Sequence, residues 1–308
     1  MVHETNTGMD DRAPSRRALL GSCAFGTAAV LAGCLGGDSS ENGNESQNGN
    51  ESQSGNAGES DAEREEIVEA LDLSGDGTAQ FREWIVPGRP YSSQGGIELV
   101  CQYDNYERAA TEGDTSLQQN RESIAADLNT EPAAISGNLF AGSTNDRPDV
   151  ITLGEFDTQQ LVDVFTGEDR SVTGDYRGYT VVANAVAVDD SAVVNSLRYD
   201  RYIDATAGER DRLAESDPDA RLLFDLLPDG LRIAVSRHEE LSDLAINGES
   251  VTAMEDREKT RSVRTLVFES ADDATAGRAR EILSNGSGFE EIVTLETSDR
   301  VVMVDYRS

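Results

Sequence analysis

The sequence predicts an α+β fold: mostly antiparallel sheets with helices packed on them, placed after a disordered linker. Three observations predict it. Short apolar, strand-like runs bounded by turn residues recur through positions 64–308. Stretches with helical spacing alternate with them, as at 157–166. The plan of strand, helix and hairpin in the middle of the chain returns near the C-terminus. That return predicts two related β-α-β-β halves, about 64–240 and 241–308.

The chain opens on a leader. Ser15-Arg16-Arg17-Ala18-Leu19-Leu20 resembles a twin-arginine export signal, an address read by a receptor. The apolar run Ala18–Gly33 is shorter than the roughly 20 strongly apolar residues of a spanning helix, and Gly21, Ser22, Gly26 and Thr27 dilute it. It therefore reads as the core of a signal peptide, residues 1–33, removed on export. Leu31-Ala32-Gly33-Cys34 resembles a lipobox, in which small residues let a peptidase approach the backbone. The resemblance implies lipidation of Cys34, which becomes the first residue of the mature chain. Two acyl chains bury enough methylene for stable anchoring. The expected location is the outer, extracytoplasmic face of the cell membrane. An uncleaved N-terminal anchor is the other reading of this run.

Residues 34–63 form the linker. It is rich in Asn, Gly, Ser and Glu, and "NGNESQ" stands twice in tandem at 42–47 and 48–53. Such composition cannot offset its ordering entropy. A flexible coil of this length spans about 25–30 Å, enough to lift a domain off a bilayer. Asn44 and Asn50 here, and Asn285 further on, begin glycosylation sequons.

The chain carries 59 acidic and 26 basic residues, a formal net charge of −33, and Lys259 is its single lysine. The leader is balanced, with Glu4, Asp10 and Asp11 against Arg12, Arg16 and Arg17, so the whole surplus follows it. At molar salt the screening length falls to about 3 Å and the self-repulsion largely vanishes. The acidity runs along the entire chain, which points to a halophile's solvent rather than to one basic partner. No basic stripe is visible, and nucleic acid is disfavoured as a partner. Of three cysteines, Cys23 and Cys34 fall in the leader and at its end. Cys101, in "IELVCQYD", reads as a small buried hydrophobe.

"DLSGDGTAQFRE" (72–83) nearly matches a calcium loop of the EF-hand type. Asp72, Ser74 and Asp76 take the first side-chain positions, Thr78 offers its carbonyl, Gln80 the ninth position and Glu83 the bidentate twelfth. "REEIVEAL" and "FREWIV" would be its flanking helices. Against it stand Ala79, where paired loops carry a branched apolar residue, and Pro87-Gly88, which shortens the second helix. The competing reading is a capped turn between two short helices. A real site would be weak, on the order of 10⁻⁴–10⁻³ M, and calcium is the one cofactor the sequence suggests.

In the domain proper, "DVITLGEF" is a strand. A helix follows at 157–166, with Asp157 as N-cap, Gln160 at the capping-box position, Phe156 and Leu161 as a staple, and Gly167 as its stop. "YRGYTVVAN" reads as the next strand and "AVAVDDSAVVNS" as a hairpin turning at Asp189-Asp190. Helices are expected near 199–214 and 218–227, then the strand "LRIAVSR". "SVRTLVFES" is a strand, Ser270 caps a helix through Ser284 with Asp272 and Asp273 in its first turn, and Gly286 ends it. "EEIVTLETSDRVVMVDYRS" closes the chain as a hairpin.

Tyr176-Arg177-Gly178-Tyr179, "VAVDDSAVV" and "DATAGE" at 204–209 stand within residues 149–237. Through them this stretch resembles a recurrent type of haloarchaeal lipoprotein, exported by the twin-arginine route and of unknown function. Chemistry is sparse. His238 is the single histidine after the leader and reads as solvated, beside carboxylates. There is no Cys/His zinc spacing and no glycine-rich phosphate loop. The expected function is a non-enzymatic binding or envelope-organising module, tethered through the lipid on Cys34, with an envelope or surface-layer protein as candidate partner. A solute- or calcium-binding lipoprotein serving a transporter is the alternative, and a carboxylate-dependent enzyme the third reading.

Overall fold

The computed structural model describes residues 79–88, 92–94, 97–144, 147–166, 170–254, 259–284 and 291–307. In chain order the elements are α1 (Ala79–Arg82), β1 (Ser92–Gln94), β2 (Ile97–Asn105), α2 (Tyr106–Glu112), α3 (Thr115–Asp127), a 3₁₀ turn (Pro132–Ala134), β3 (Ile135–Thr144), β4 (Arg147–Gly154), α4 (Thr158–Phe165), β5 (Val172–Tyr176), β6 (Tyr179–Val182), β7 (Val186–Val188), β8 (Ala192–Asn195), α5 (Tyr199–Thr206), α6 (Leu213–Ser216), α7 (Pro218–Leu226), β9 (Arg232–His238), β10 (Leu244–Met254), β11 (Thr260–Phe268), α8 (Ala276–Ser284), β12 (Glu291–Ser298) and β13 (Val301–Arg307).

The strands form one sheet in the order β12-β13-β11-β10-β9-β2-β3-β4-β8-β7-β6-β5, with β1 beside β2. Every pairing is antiparallel. The fold is thus the mixed α+β type that the sequence predicts. Its path is repeated. From the central pair β2 and β9, each arm runs outward through three strands, β2-β3-β4 or β9-β10-β11. Each then inserts a helix, α4 or α8, goes to the outer edge, and returns to pair with the strand it left, β8 on β4 and β13 on β11.

Local chemistry explains most boundaries. Asp157 caps α4, its carboxylate accepting from the Gln159 and Gln160 amides at 2.9 and 3.1 Å. Phe156 and Leu161 are buried in one cluster, as the staple requires. The Gln160 side chain bonds the Asn129 carbonyl rather than its own N-cap, so no capping box closes. The cap at the other end of α4 is Thr166; Gly167 lies outside the described residues. Asp189 fixes the β7–β8 turn by accepting from the Ser191 and Ala192 amides.

Four expectations change. "YRGYTVVAN" is a turn and a strand, because Arg177 and Gly178 have φ of 50° and 91° and close a tight β5–β6 hairpin with Tyr176 opposite Tyr179. The helix expected over 199–214 breaks into α5 and α6 after Ala207 and Gly208, the latter at φ 72°. Ser270 does not cap α8: residues 270–274 turn on themselves, and Thr275 Oγ1 accepts the Arg278 amide instead. "FREWIV" is helical only to Arg82, because Trp84, Ile85 and Val86 are all buried, which a continuing amphipathic helix could not achieve. Gly286 and Asn285 lie outside the described residues.

The two faces of the sheet differ. One is mostly apolar, with Asp149, Ser250 and Thr265 as its buried polar members. Cys101, Tyr103, Leu139, Ile151, Val194, Ile233, Val235, Ile246 and Met303 form a single cluster with Phe81 of α1 and the buried sides of α5, α6 and α7. Gly248 lets α7 close on β10: a Cβ there would meet Leu227 Cδ1 at 2.7 Å. The other face is apolar only at its ends. At one end Val186, Val188 and Val193 pack under α2, α3 and α4. At the other, Leu266, Val302 and Val304 pack under α8.

Between those ends the second face is polar. Residues paired directly across strands share a face. One row reads Thr152–Asn138–Asp104–Arg232 across β4, β3, β2 and β9. The next reads Phe140–Gln102–Ala234–Glu249–Arg264 across β3, β2, β9, β10 and β11. Gln102, Asp104, Asn138, Thr152 and Glu249 are buried and the two arginines mostly so, and apart from Asp104 Oδ2 and Arg264 Nε these groups largely satisfy one another. Arg232 Nε donates to Asp104 at 2.7 Å, Gln102 donates to the same oxygen at 3.2 Å, and Thr152 donates to Asn138 at 2.9 Å. Arg264 bonds Glu249, whose second oxygen accepts from Tyr306 Oη at 2.7 Å.

Candidate functional site

The segment 198–226 brings side chains together where α5, α6 and α7 cover the apolar face of the sheet. Leu213 and the buried side of α7 (Ala220, Leu222, Leu223, Phe224, Leu226) face inward. The opposite sides of α6 and α7 then turn outward, toward the end of α1. A solvent-open cleft of about 530 Å³ lies there, lined by Arg82, Arg212, Ala214, Glu215, Arg221 and Asp225. Its size is that of a small-molecule site.

Each carboxylate of the lining among the described residues is already engaged. Asp225 accepts from Arg82 Nη1 at 3.2 Å, and Glu215 accepts from the Arg212 amide at 2.8 Å. Arg212 Nε donates to the Ala205 carbonyl at 3.2 Å, which fixes the base of its guanidinium. Arg221 and Asp225 are four residues apart on α7 and so share a helix face.

Of the residues singled out in the sequence, Glu83 stands beside this cleft. It is half exposed, and its carboxylate lies 3.8 Å from Arg212 Nη1. A cation on Glu83 would have to share it with that guanidinium. Gln80 lies in α1, while Asp72, Ser74, Asp76 and Thr78 lie outside the described residues. So do Arg16, Arg17, Leu31, Ala32, Gly33, Cys34, Asn44, Asn50 and Asn285. Among the described residues no group of three or more His, Cys, Asp or Glu side chains is placed to hold a metal ion. None of their helices is long and apolar enough to cross a membrane.

The segments that carry the resemblance meet in space. Asp204 at the end of α5 accepts from Tyr176 Oη and from Arg177 Nε, both at 2.7 Å, and Arg177 also holds Glu209. The Tyr176 hydroxyl, and then Arg177, lower the Asp204 pKa. The motif "YRGY" thus clips the edge hairpin to both ends of "DATAGE", a structural role.

Cys101 is buried, and its burial pushes the thiol pKa up, away from reactivity. His238 is half-buried at the end of β9, and its charged neighbour is Arg264 rather than a carboxylate. Burial lowers its pKa, and the Arg264 charge lowers it further. An unfolded histidine titrates near pH ~6.5, so below that pH the unfolded chain binds the proton more readily. Stability is therefore full above about pH 6.5 and falls as the pH drops through that value toward the lower folded pKa. Thermal unfolding in molar salt between about pH 7.5 and 5.5 should show this decline, and His238→Gln should flatten it. An equal slope in the variant would assign the decline to other groups.

Comparison with known proteins found no matching family model, no matching curated protein and no matching solved structure.

Proposed function

We propose that this chain is a binding protein held by lipid on Cys34 at the outer face of a halophile's cell membrane. The linker 34–63 carries the folded region away from the bilayer, and the cleft beside α6 and α7 receives a ligand. One observation carries the reading: Arg16-Arg17, a short apolar run, Leu31-Ala32-Gly33-Cys34 and a charged, low-complexity tract stand in that order. The acid surplus supports the solvent half of the reading. The open cleft supports binding.

Cys34→Ser tests the anchor. The unaltered chain is expected in the membrane fraction, with a diacylated N-terminal peptide at Cys34 by mass spectrometry. The variant is expected almost wholly in the soluble fraction or the medium. Retention of both in the membrane to the same extent would discard the lipid anchor.

A further inference from the structure

We infer that the cleft between α1, α6 and α7 binds a small oxyanion, chelated by Arg82 and Arg212. The inference rests on the binding-protein reading and names its ligand class. Three guanidinium groups line one opening in a chain whose formal net charge is −33. Among the described residues both lining carboxylates are committed, Asp225 to Arg82 and Glu215 to the Arg212 amide. The donors are not. Arg82 uses Nη1, and its Nη2 and Nε make no hydrogen bond among the described residues. Arg212 uses Nε, and both its Nη nitrogens make none, the nearest carboxylate standing 3.8 Å from Nη1.

Spare N–H donors in fixed fork geometry match carboxylate, phosphate or sulfate oxygens. An exposed arginine in a strongly acidic chain would ordinarily be neutralised by the nearest acid. Here the fixed acids leave donors over, and among the described residues of the lining Ala214 is the one apolar side chain. The cleft volume of about 530 Å³ admits an organic acid as readily as an inorganic oxyanion. In molar chloride the ligand must chelate, because a single exposed ion pair is screened.

The test is isothermal titration calorimetry of the full chain, in detergent and molar NaCl, with sodium phosphate, sodium succinate and sodium citrate as separate probes. Probe concentrations in the low millimolar range keep general salting effects small. Saturable binding of phosphate alone assigns an inorganic oxyanion, and binding of succinate or citrate assigns an organic acid; either supports the inference. Arg212→Gln is expected to weaken binding about tenfold or more, the effect of losing charge-assisted hydrogen bonds. Arg82→Gln provides the second variant should the first fold poorly by circular dichroism. Absence of saturable binding with all three probes, or equal affinity in both folded variants, overturns the inference. The titration is independent of where the protein resides. A failed anchor with a working cleft, and the reverse, are therefore read separately.

Discussion

Glu249→Ala is expected to destabilise the protein by about 3–5 kcal/mol, a large part of a typical domain's total stability. Glu249 is 7 % exposed and lies directly opposite Arg264 in the β10–β11 register. Its carboxylate takes the Arg264 guanidinium on one oxygen and the Tyr306 hydroxyl on the other. Removing it strands a buried cation. The Arg264 guanidinium over the Tyr306 ring, 5.8 Å from its centroid, is a weak substitute. Glu249→Gln keeps an acceptor for Tyr306 and should cost less. The paired change Glu249→Leu with Arg264→Met removes both charges and should come close to neutral. Urea unfolding in molar salt measures all three, because such salt leaves a buried pair largely unscreened. A loss below about 0.5 kcal/mol for Glu249→Ala, the range of an ordinary surface change, would show that solvent reaches the pair.

The second large effect is expected at Phe81. Phe81→Ala should cost about 3–5 kcal/mol, the range for emptying an aromatic site in a core. Phe81 is 0 % exposed, stacks on Tyr103 at 4.7 Å and meets Phe224 edge-on at 6.1 Å. It joins α1 to the sheet and to α7 at once. The same ring occupies the tenth place of the calcium-loop match, where its job is packing. Loss of stability with no change on adding calcium would assign the stretch to the core; equilibrium unfolding with and without the ion decides it.

The sequence made the strands legible because most of them carry their own pattern. "IELVCQYD" and "LRIAVSR" state a buried run whatever pairs with them. The α4 start was legible for a related reason: Asp157, Phe156 and Leu161 act within one turn of each other. Breaks that depend on positive φ were harder. Arg177-Gly178 and Ala207-Gly208 each interrupt an element whose hydrophobic pattern continues. The polar band was legible only as alternation. Gln102 and Asp104 look like the wet side of β2, and only the neighbours β3 and β9 make them interior. The cleft had no local signal, since Arg82 belongs to α1, Arg212 to the N-cap of α6 and Arg221 to α7. His238 was misjudged for the same reason, its neighbour Arg264 lying on another strand.

The central pairing of β2 with β9 has a kinetic consequence. The Asp104–Arg232 contact at its heart joins residues 128 positions apart. Closing so long a loop is an entropic cost met before any of the contact's reward, which places the chain among high-contact-order folders. While the first arm stands alone, the inner edge of β2 lacks its partner. That edge is a template for any other unpaired strand. Refolding from denaturant should therefore be slow and sensitive to protein concentration, with β9 the strand whose arrival ends both conditions.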